Sequence, residues 1–133
     1  MKLSARSEYA LLALVYLARQ DPGKVVSADT IARAKDIPPK FLEQILLTLK
    51  RARYLRSTKG QRGGYQLAKP ADAVTLAEIV RLFDGALAPT DSTSRYHYRP
   101  SPIEKERKLL RLFRDIRDLV SNRLEAATIA DML

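Results

Sequence analysis

The side chains best equipped for chemistry in this chain are hydrogen-bonding groups set at helical spacing between Pro39 and Arg53. Over PKFLEQILLTLKRAR, Leu42, Ile45, Leu46 and Leu49 recur at the i, i+3, i+4, i+7 spacing of one helix face. At about 100° per residue, Lys40, Glu43, Gln44, Leu47 and Arg51 share the opposite side. One face can bury while the other presents long polar groups to the base edges of a major groove. There Gln44 can bond an adenine edge, Glu43 can accept from a cytosine amino group, and Lys40 can reach guanine acceptors or a phosphate. Lys50, Arg51 and Arg53, near the end of the helix, suit phosphates. Two positions keep a second reading: Glu43 as a salt-bridge partner for a nearby lysine, and Leu47 against a thymine methyl or the adjoining hairpin.

Other chemistry finds little support. The chain has no cysteine and one histidine, His97, which excludes thiolate catalysis, disulfides and cysteine-ligated iron–sulfur or zinc sites. No Ser/His/Asp or metal-ligand cluster stands out, so an enzyme is not expected. RSTKGQRGGYQL, after the helix, reads as two short strands around a basic glycine-rich tip. Gly60, Gly63 and Gly64 permit positive φ and close backbone approach, letting Lys59 and Arg62 project toward a narrow, A·T-type minor groove. No GK[ST] follows the tip, so a nucleotide-hydrolysing phosphate loop is a poor fit.

These groups need elements to position them. Ser4 to Gln20 reads as a helix, apolar nearly all round, that stops before Asp21-Pro22-Gly23. A helix of that kind needs neighbours on several sides, and the C-terminal helix of the same or another subunit is the expected cover. At ten residues, Tyr9–Ala18 is too short to cross a membrane and lacks a signal-peptide cleavage site. Ser27 caps a short second helix, which the turn Asp36-Ile37-Pro38-Pro39 breaks before the Pro39–Arg53 helix. This is a helix-turn-helix, with Ile37 turned inward. Thr75-Leu-Ala-Glu78 is a capping box opening a helix to Asp84-Gly85, with Leu76, Ile79, Val80 and Phe83 as its stripe. Residues 86–100 read as a loop.

Ser101-Pro102-Ile103-Glu104 looks like a second capping box, opening a helix that reaches at least Leu124. Glu104/Lys108, Arg111/Asp115 and Arg114/Asp118 are its expected i,i+4 pairs. Its broad stripe of Leu109, Leu112, Phe113, Ile116, Leu119, Val120 and Leu124 is buried most simply by a second copy; folding back on its own domain is the alternative. Thr128-Ile-Ala-Asp echoes helix-start chemistry rather than a duplication. The fold class is mainly α with a small β-wing: a winged helix-turn-helix at 1–85, a loop at 86–100 as a candidate signal sensor, and a dimerisation helix and tail at 101–133.

Charge separates the two halves. Residues 1–70 hold 14 Lys+Arg against 5 Asp+Glu, whereas residues 71–133 hold 10 of each, so the whole net charge of +9 sits with the helix-turn-helix. Such a surface draws polyanions by steering and counterion release. The expected partner is double-stranded DNA, with no membrane role, in the cytoplasm.

MKLSARSEYALLALVYLA, FLEQILLTLKRARYL, KGQRGGYQLAKP and VTLAEIVRLFDG together resemble the bacterial transcription regulators often called the "Rrf-two" family, of the IscR/NsrR/CymR type. The likeness is close over Met1–Gly85 and looser in the C-terminal helix. It implies a symmetric dimer on palindromic promoter DNA, and the expected role is that of a repressor. The Phe41-Leu42-Glu43-Gln44 region would read the major groove and the wing would enter the minor groove. Cluster-binding members carry three cysteines in the loop before the long helix. Here Ser92 stands about where the first would be, so the chain resembles the cysteine-free branch and no iron–sulfur cofactor is expected. Arg95-Tyr96-His97-Tyr98-Arg99 occupies that loop instead. It is a candidate effector site for an anionic or planar ligand; the alternative is that Tyr96 and Tyr98 pin the loop while Arg95 and Arg99 stay solvated. The rival to sequence-specific regulation is a basic DNA-binding or protein-interaction adaptor.

Overall fold

A computed structural model describes residues 2–133. Five helices and one hairpin follow in the order α1 (Ala5–Ala18), α2 (Ala28–Lys35), α3 (Pro39–Arg51), β1 (Leu55–Thr58), β2 (Gly64–Leu67), α4 (Leu76–Asp84) and α5 (Arg107–Ala126). The expected class, mainly α with a small wing, is the observed one.

Ser4 caps α1 by accepting from the Ser7 N–H at 3.2 Å, and the helix ends two residues short of Gln20. α1 buries Ala10, Ala13, Leu14 and Leu17 against α3 and α4. Its remaining side is not covered by α5. There Leu3, Tyr9, Leu11, Leu12, Val15 and Met132 line an open apolar groove.

Ser27 caps α2 through the Thr30 N–H, and Asp36 ends it in the left-handed region at φ 53°. The turn drives Ile37 into the core at 3% exposure. Leu42, Ile45, Leu46 and Leu49 of α3 are fully buried, so the expected apolar face is the packed one. The helix stops at Arg51 rather than Arg53. Arg53 sits at φ 68°, while the Tyr54 N–H donates to the Leu49 carbonyl and the Arg53 N–H to that of Lys50. This is a Schellman end whose left-handed residue is an arginine instead of the usual glycine.

In the wing, Leu55 pairs with Leu67 and Thr58 with Gly64. Val26 adds an unforeseen third edge, exchanging two hydrogen bonds with Tyr65 at 2.9 and 2.7 Å. Two glycines close this sheet. A Cβ on Gly63 would stand 2.0 Å from the Thr58 carbonyl oxygen, and one on Gly64 2.3 Å from that of Val26.

The Thr75–Glu78 capping box forms as expected at the start of α4. The Ser101–Glu104 box does not. Pro102–Lys105 is a single 3-10 turn without a side-chain cap, Glu106 is extended, and α5 starts at Arg107. Glu104 instead accepts from the Tyr98 hydroxyl. The three expected i,i+4 pairs are replaced among the described residues by Arg81–Glu125, Arg95–Asp118 and Arg117–Asp118, at 2.7, 3.1 and 2.8 Å. Thus α5 folds back on α4 and the loop through a polar edge and Leu124, which joins Ala77, Val80 and Leu87. Leu109, Leu112, Ile116 and Leu119 remain exposed, Leu119 by 67%, whereas Phe113 and Val120 are half-buried. After α5 the chain returns to the core: Thr128 bridges Thr75, and Ile129 is buried. Thr128 and Asp131 exchange the reciprocal bonds of a helix start, followed by only one 3-10 turn.

Candidate nucleic-acid interface

The apolar anchor of α3 leaves its opposite side outward. Lys40, Glu43, Gln44, Leu47, Lys50 and Arg51 are exposed, as is Arg53 on the turn beyond. Glu43 makes no salt bridge among the described residues. Leu42 is core, and Phe41 packs edge-on against Tyr9, ring centroids 5.6 Å apart. Of the four residues Phe41–Gln44, only Glu43 and Gln44 therefore face outward. Thr48 donates its hydroxyl to the Gln44 carbonyl.

Lys59 and Arg62 are exposed at the wing tip, while Gly60 adopts φ 108° to turn it. Gly63 and Gly64 build the hairpin through close backbone contact, a role that their type alone accounts for. No cation of residues 1–70 forms an ion pair among the described residues; all three pairs lie in residues 71–133. Three basic-half side chains are engaged otherwise, Arg6 over the Phe83 ring, Lys69 over that of Tyr54, and Arg19 donating to the Met132 carbonyl at 3.3 Å. A helix of unpaired polar groups beside an unpaired cationic tip can supply both base-edge and phosphate contacts without first breaking internal bonds.

Reading by periodicity missed the bracing behind this surface. Tyr54, at the base of the wing, donates to Glu78 at 3.1 Å. Burial raises the Glu78 carboxyl, but bonds from Thr75 and Tyr54 and the nearby Lys69 outweigh it and hold the group below its ordinary value. Ser4 donates its N–H and hydroxyl to Asp84; there too the donors outweigh burial and hold the carboxyl low. Neither contact leaves a local signal, because the partners are far apart in sequence.

The candidate effector residues lie along one exposed stretch but do not converge. Arg95 pairs with Asp118, Arg81 stacks on Tyr96, Tyr98 donates to Glu104, and the His97 backbone N–H bonds the Ser94 hydroxyl; Arg99 is exposed. The polar cavity lined by Arg81, Ser94, Arg95, Tyr96, His97 and Arg117 measures about 10 Å³, the scale of a single water. Ser92 is buried and accepts from the Ser101 hydroxyl at 2.8 Å.

A helix-turn-helix followed by a two-stranded wing, with an extended helix beyond, defines a winged-helix protein. Residues 3–133 match the family described as "Rrf2: Iron-dependent Transcriptional regulator". The chain belongs to the Rrf2 family. It is 29% identical over 132 residues to the HTH-type transcriptional regulator CymR of Bacillus subtilis, covering 99% of this chain and 89% of that one. The solved structure of B. subtilis CymR, described as the global cysteine regulator, superimposes with a TM-score of 0.80 over 99% of this chain and 95% of that chain, at 28% identity. Rv1287 of Mycobacterium tuberculosis is 46% identical over 88 residues, 66% of this chain and 55% of the relative. The chain thus spans about 55% of the length of that relative. The family description implies iron, but the donor set here does not fit it. Cysteine is absent, and no group of three His, Cys, Asp or Glu residues able to hold a metal ion is present among the described residues.

Proposed function

We propose that this chain is a sequence-specific DNA-binding transcription regulator. It acts as a homodimeric repressor on palindromic promoter sites in the cytoplasm, without an iron–sulfur cluster. One observation carries the reading: among the described residues the outward row of α3 and the cationic wing tip are left unpaired, while the ion pairs lie in the other half of the chain. Family membership supports the same class of activity. Gln44 and Glu43 would read base edges, Lys40 a base or phosphate, Lys50, Arg51 and Arg53 phosphates, and Lys59 and Arg62 the minor groove beside Gly63 and Gly64.

The dimer is supported by the exposed Leu109, Leu112, Ile116 and Leu119, with Phe113 and Val120 at their edge, and by the open groove on α1. Pairing of two α5 helices along this edge would cover the leucines. The heads would then reach successive major grooves, about 34–36 Å apart or a multiple of that. In this division 1–85 reads DNA, 101–133 dimerises, and a signal acting on 86–100 adjusts the setting of the heads. The candidate contacts for such an effector are Arg95, Tyr96, His97, Tyr98 and Arg99.

Selection of duplex fragments from the host genome by the purified protein, at about 0.15 M salt where non-specific binding is weakened, tests the reading. Enrichment of a few promoters sharing a palindrome supports it. Even recovery without a motif would leave a basic DNA-coating or adaptor protein.

A further inference from the structure

The Schellman turn at the end of α3 joins the recognition helix to the wing. Four buried side chains fix the body of α3. Beyond it, Arg53 holds a left-handed conformation that residues with a Cβ disfavour, and the wing begins at Leu55. Tyr54 lies between them. Its hydroxyl donates to Glu78 Oε1 at 3.1 Å, its ring lies 4.4 Å from Lys69 Nζ, and its carbonyl accepts from the Ala68 N–H at 2.9 Å. The residue that joins the recognition helix to the wing is thus held on three sides.

The same carboxylate serves a second element. Glu78 Oε2 accepts from the Thr75 N–H at 2.8 Å and the Thr75 hydroxyl at 3.0 Å. Thr75 in turn forms an antiparallel bridge with Thr128. The Leu76 N–H donates to the Ala127 carbonyl and the Ile129 N–H to that of Val74, each at 2.9 Å. α5 ends at Ala126, so the first residues beyond it are tied to the N-terminus of α4. An unbroken series of short bonds runs from the end of α5, through Thr75 and Glu78, to Tyr54 and the wing. Burial and the adjacent Glu78 carboxylate push the Tyr54 phenol up to about 12, so it remains a donor at any ordinary pH.

We propose that Tyr54 and Glu78 are positioning residues for DNA reading. They form the joint that passes the setting of α5 to α3 and the wing, and so fix the distance between the two heads of a dimer. The inference rests on the dimeric DNA-binding reading above. A half-site displaced by one base pair moves about 3.4 Å along the duplex, a distance a stiff joint rejects and a loosened one tolerates.

Tyr54→Phe removes only the hydroxyl, leaving the ring under Lys69 and Glu78 free to cap α4. Glu78→Asp keeps the charge but shortens its reach. Each variant is titrated on duplexes with a single half-site, and on duplexes with two half-sites at the best spacing and one base pair wider or narrower. Affinity for a single half-site should stay near the wild-type value in both variants, and the melting temperature should do so in Tyr54→Phe, which leaves the Thr75–Glu78 cap intact. Discrimination against the wrong spacing should fall by about fivefold, the low end of site-to-site coupling. A wild-type spacing profile in both variants would overturn the proposal. So would equal losses on single and paired half-sites, which mark a merely structural contact. If the wild-type protein itself shows no sequence preference on any duplex, the DNA-binding reading has failed and this proposal falls with it.

Discussion

Residues 1–70 and 71–133 treat their charges in opposite ways. The first hold 14 cations against 5 acids and form no ion pair among the described residues. The second hold 10 of each and contain Arg81–Glu125, Arg95–Asp118 and Arg117–Asp118. The second half is neutral overall and pairs part of its charge internally; the first leaves its excess for a partner. The apolar surface divides the other way. The helix that reads DNA in our proposal buries its leucines completely except for Leu47, while α5 leaves four large apolar side chains exposed. Charge is therefore left over in the first half, and apolar area on α5 and along the groove of α1, which suits a polyanion for one and a second copy for the other.

The sharpest way to break that contrast is to charge the apolar edge of α5. Ile116→Asp combined with Leu119→Asp should give a monomer by sedimentation, with its helical circular dichroism retained because both side chains face outward. Cognate-site affinity should fall by at least about a hundredfold, the loss expected when two linked contacts become one. A double variant that stays dimeric would place the interface elsewhere.

Within the basic half, the contrast can be sharpened between reading and holding. Gln44→Ala should relax preference at one base pair of each half-site, at about 1–3 kcal/mol in a binding-site selection. Arg62→Ala should weaken all duplexes alike and make the slope of log K against log salt shallower by about one unit. If Gln44→Ala weakened every sequence equally, α3 would be a phosphate-binding helix and the base readout would belong elsewhere.

What was legible in the sequence was whatever a few neighbouring residues decide together. The stripe Leu42, Ile45, Leu46, Leu49 announced which face of α3 packs, and Thr75 with Glu78 announced the start of α4, because spacing and capping act within one or two turns. Ser101 and Glu104 carried the same local signal and misled. Glu104 is within reach of the Tyr98 hydroxyl, and that contact, with the extended Glu106, moves the helix start to Arg107. The i,i+4 pairs on α5 failed for a related reason: Asp118 meets Arg95 from the loop and the neighbouring Arg117 instead of Arg114. Val26 in the wing, and Glu78 beneath Tyr54, depend on segments more than twenty residues apart, and no periodicity records such meetings. The site itself follows the same division. Exposure of Lys40, Glu43 and Gln44 could be read from the stripe, whereas the brace behind Arg53 could not.

The smallest expected effect compares carboxylates rather than surfaces. Asp84 is half-buried; its oxygens accept from the Ser4 N–H and hydroxyl. Although burial raises its pKa, those donors win, so the folded value lies below the unfolded one. Stability from this contact is therefore complete above the ordinary carboxylate range and is lost as pH falls through the lower folded value. Asp84→Asn should cost about 0.5–1 kcal/mol at neutral pH, near the low end for a charged hydrogen bond with solvent access. It should also remove part of the acid-induced fall in melting temperature. Asp118 is also held low, by bonds from Arg117 and Arg95, but that group is open to solvent, and exposed pairs are screened. Asp118→Asn should leave the neutral-pH melting temperature within error of the wild type. Equal acid profiles for the two variants would show that the Ser4–Asp84 brace, which joins the start of α1 to the end of α4, adds no more than a surface pair does.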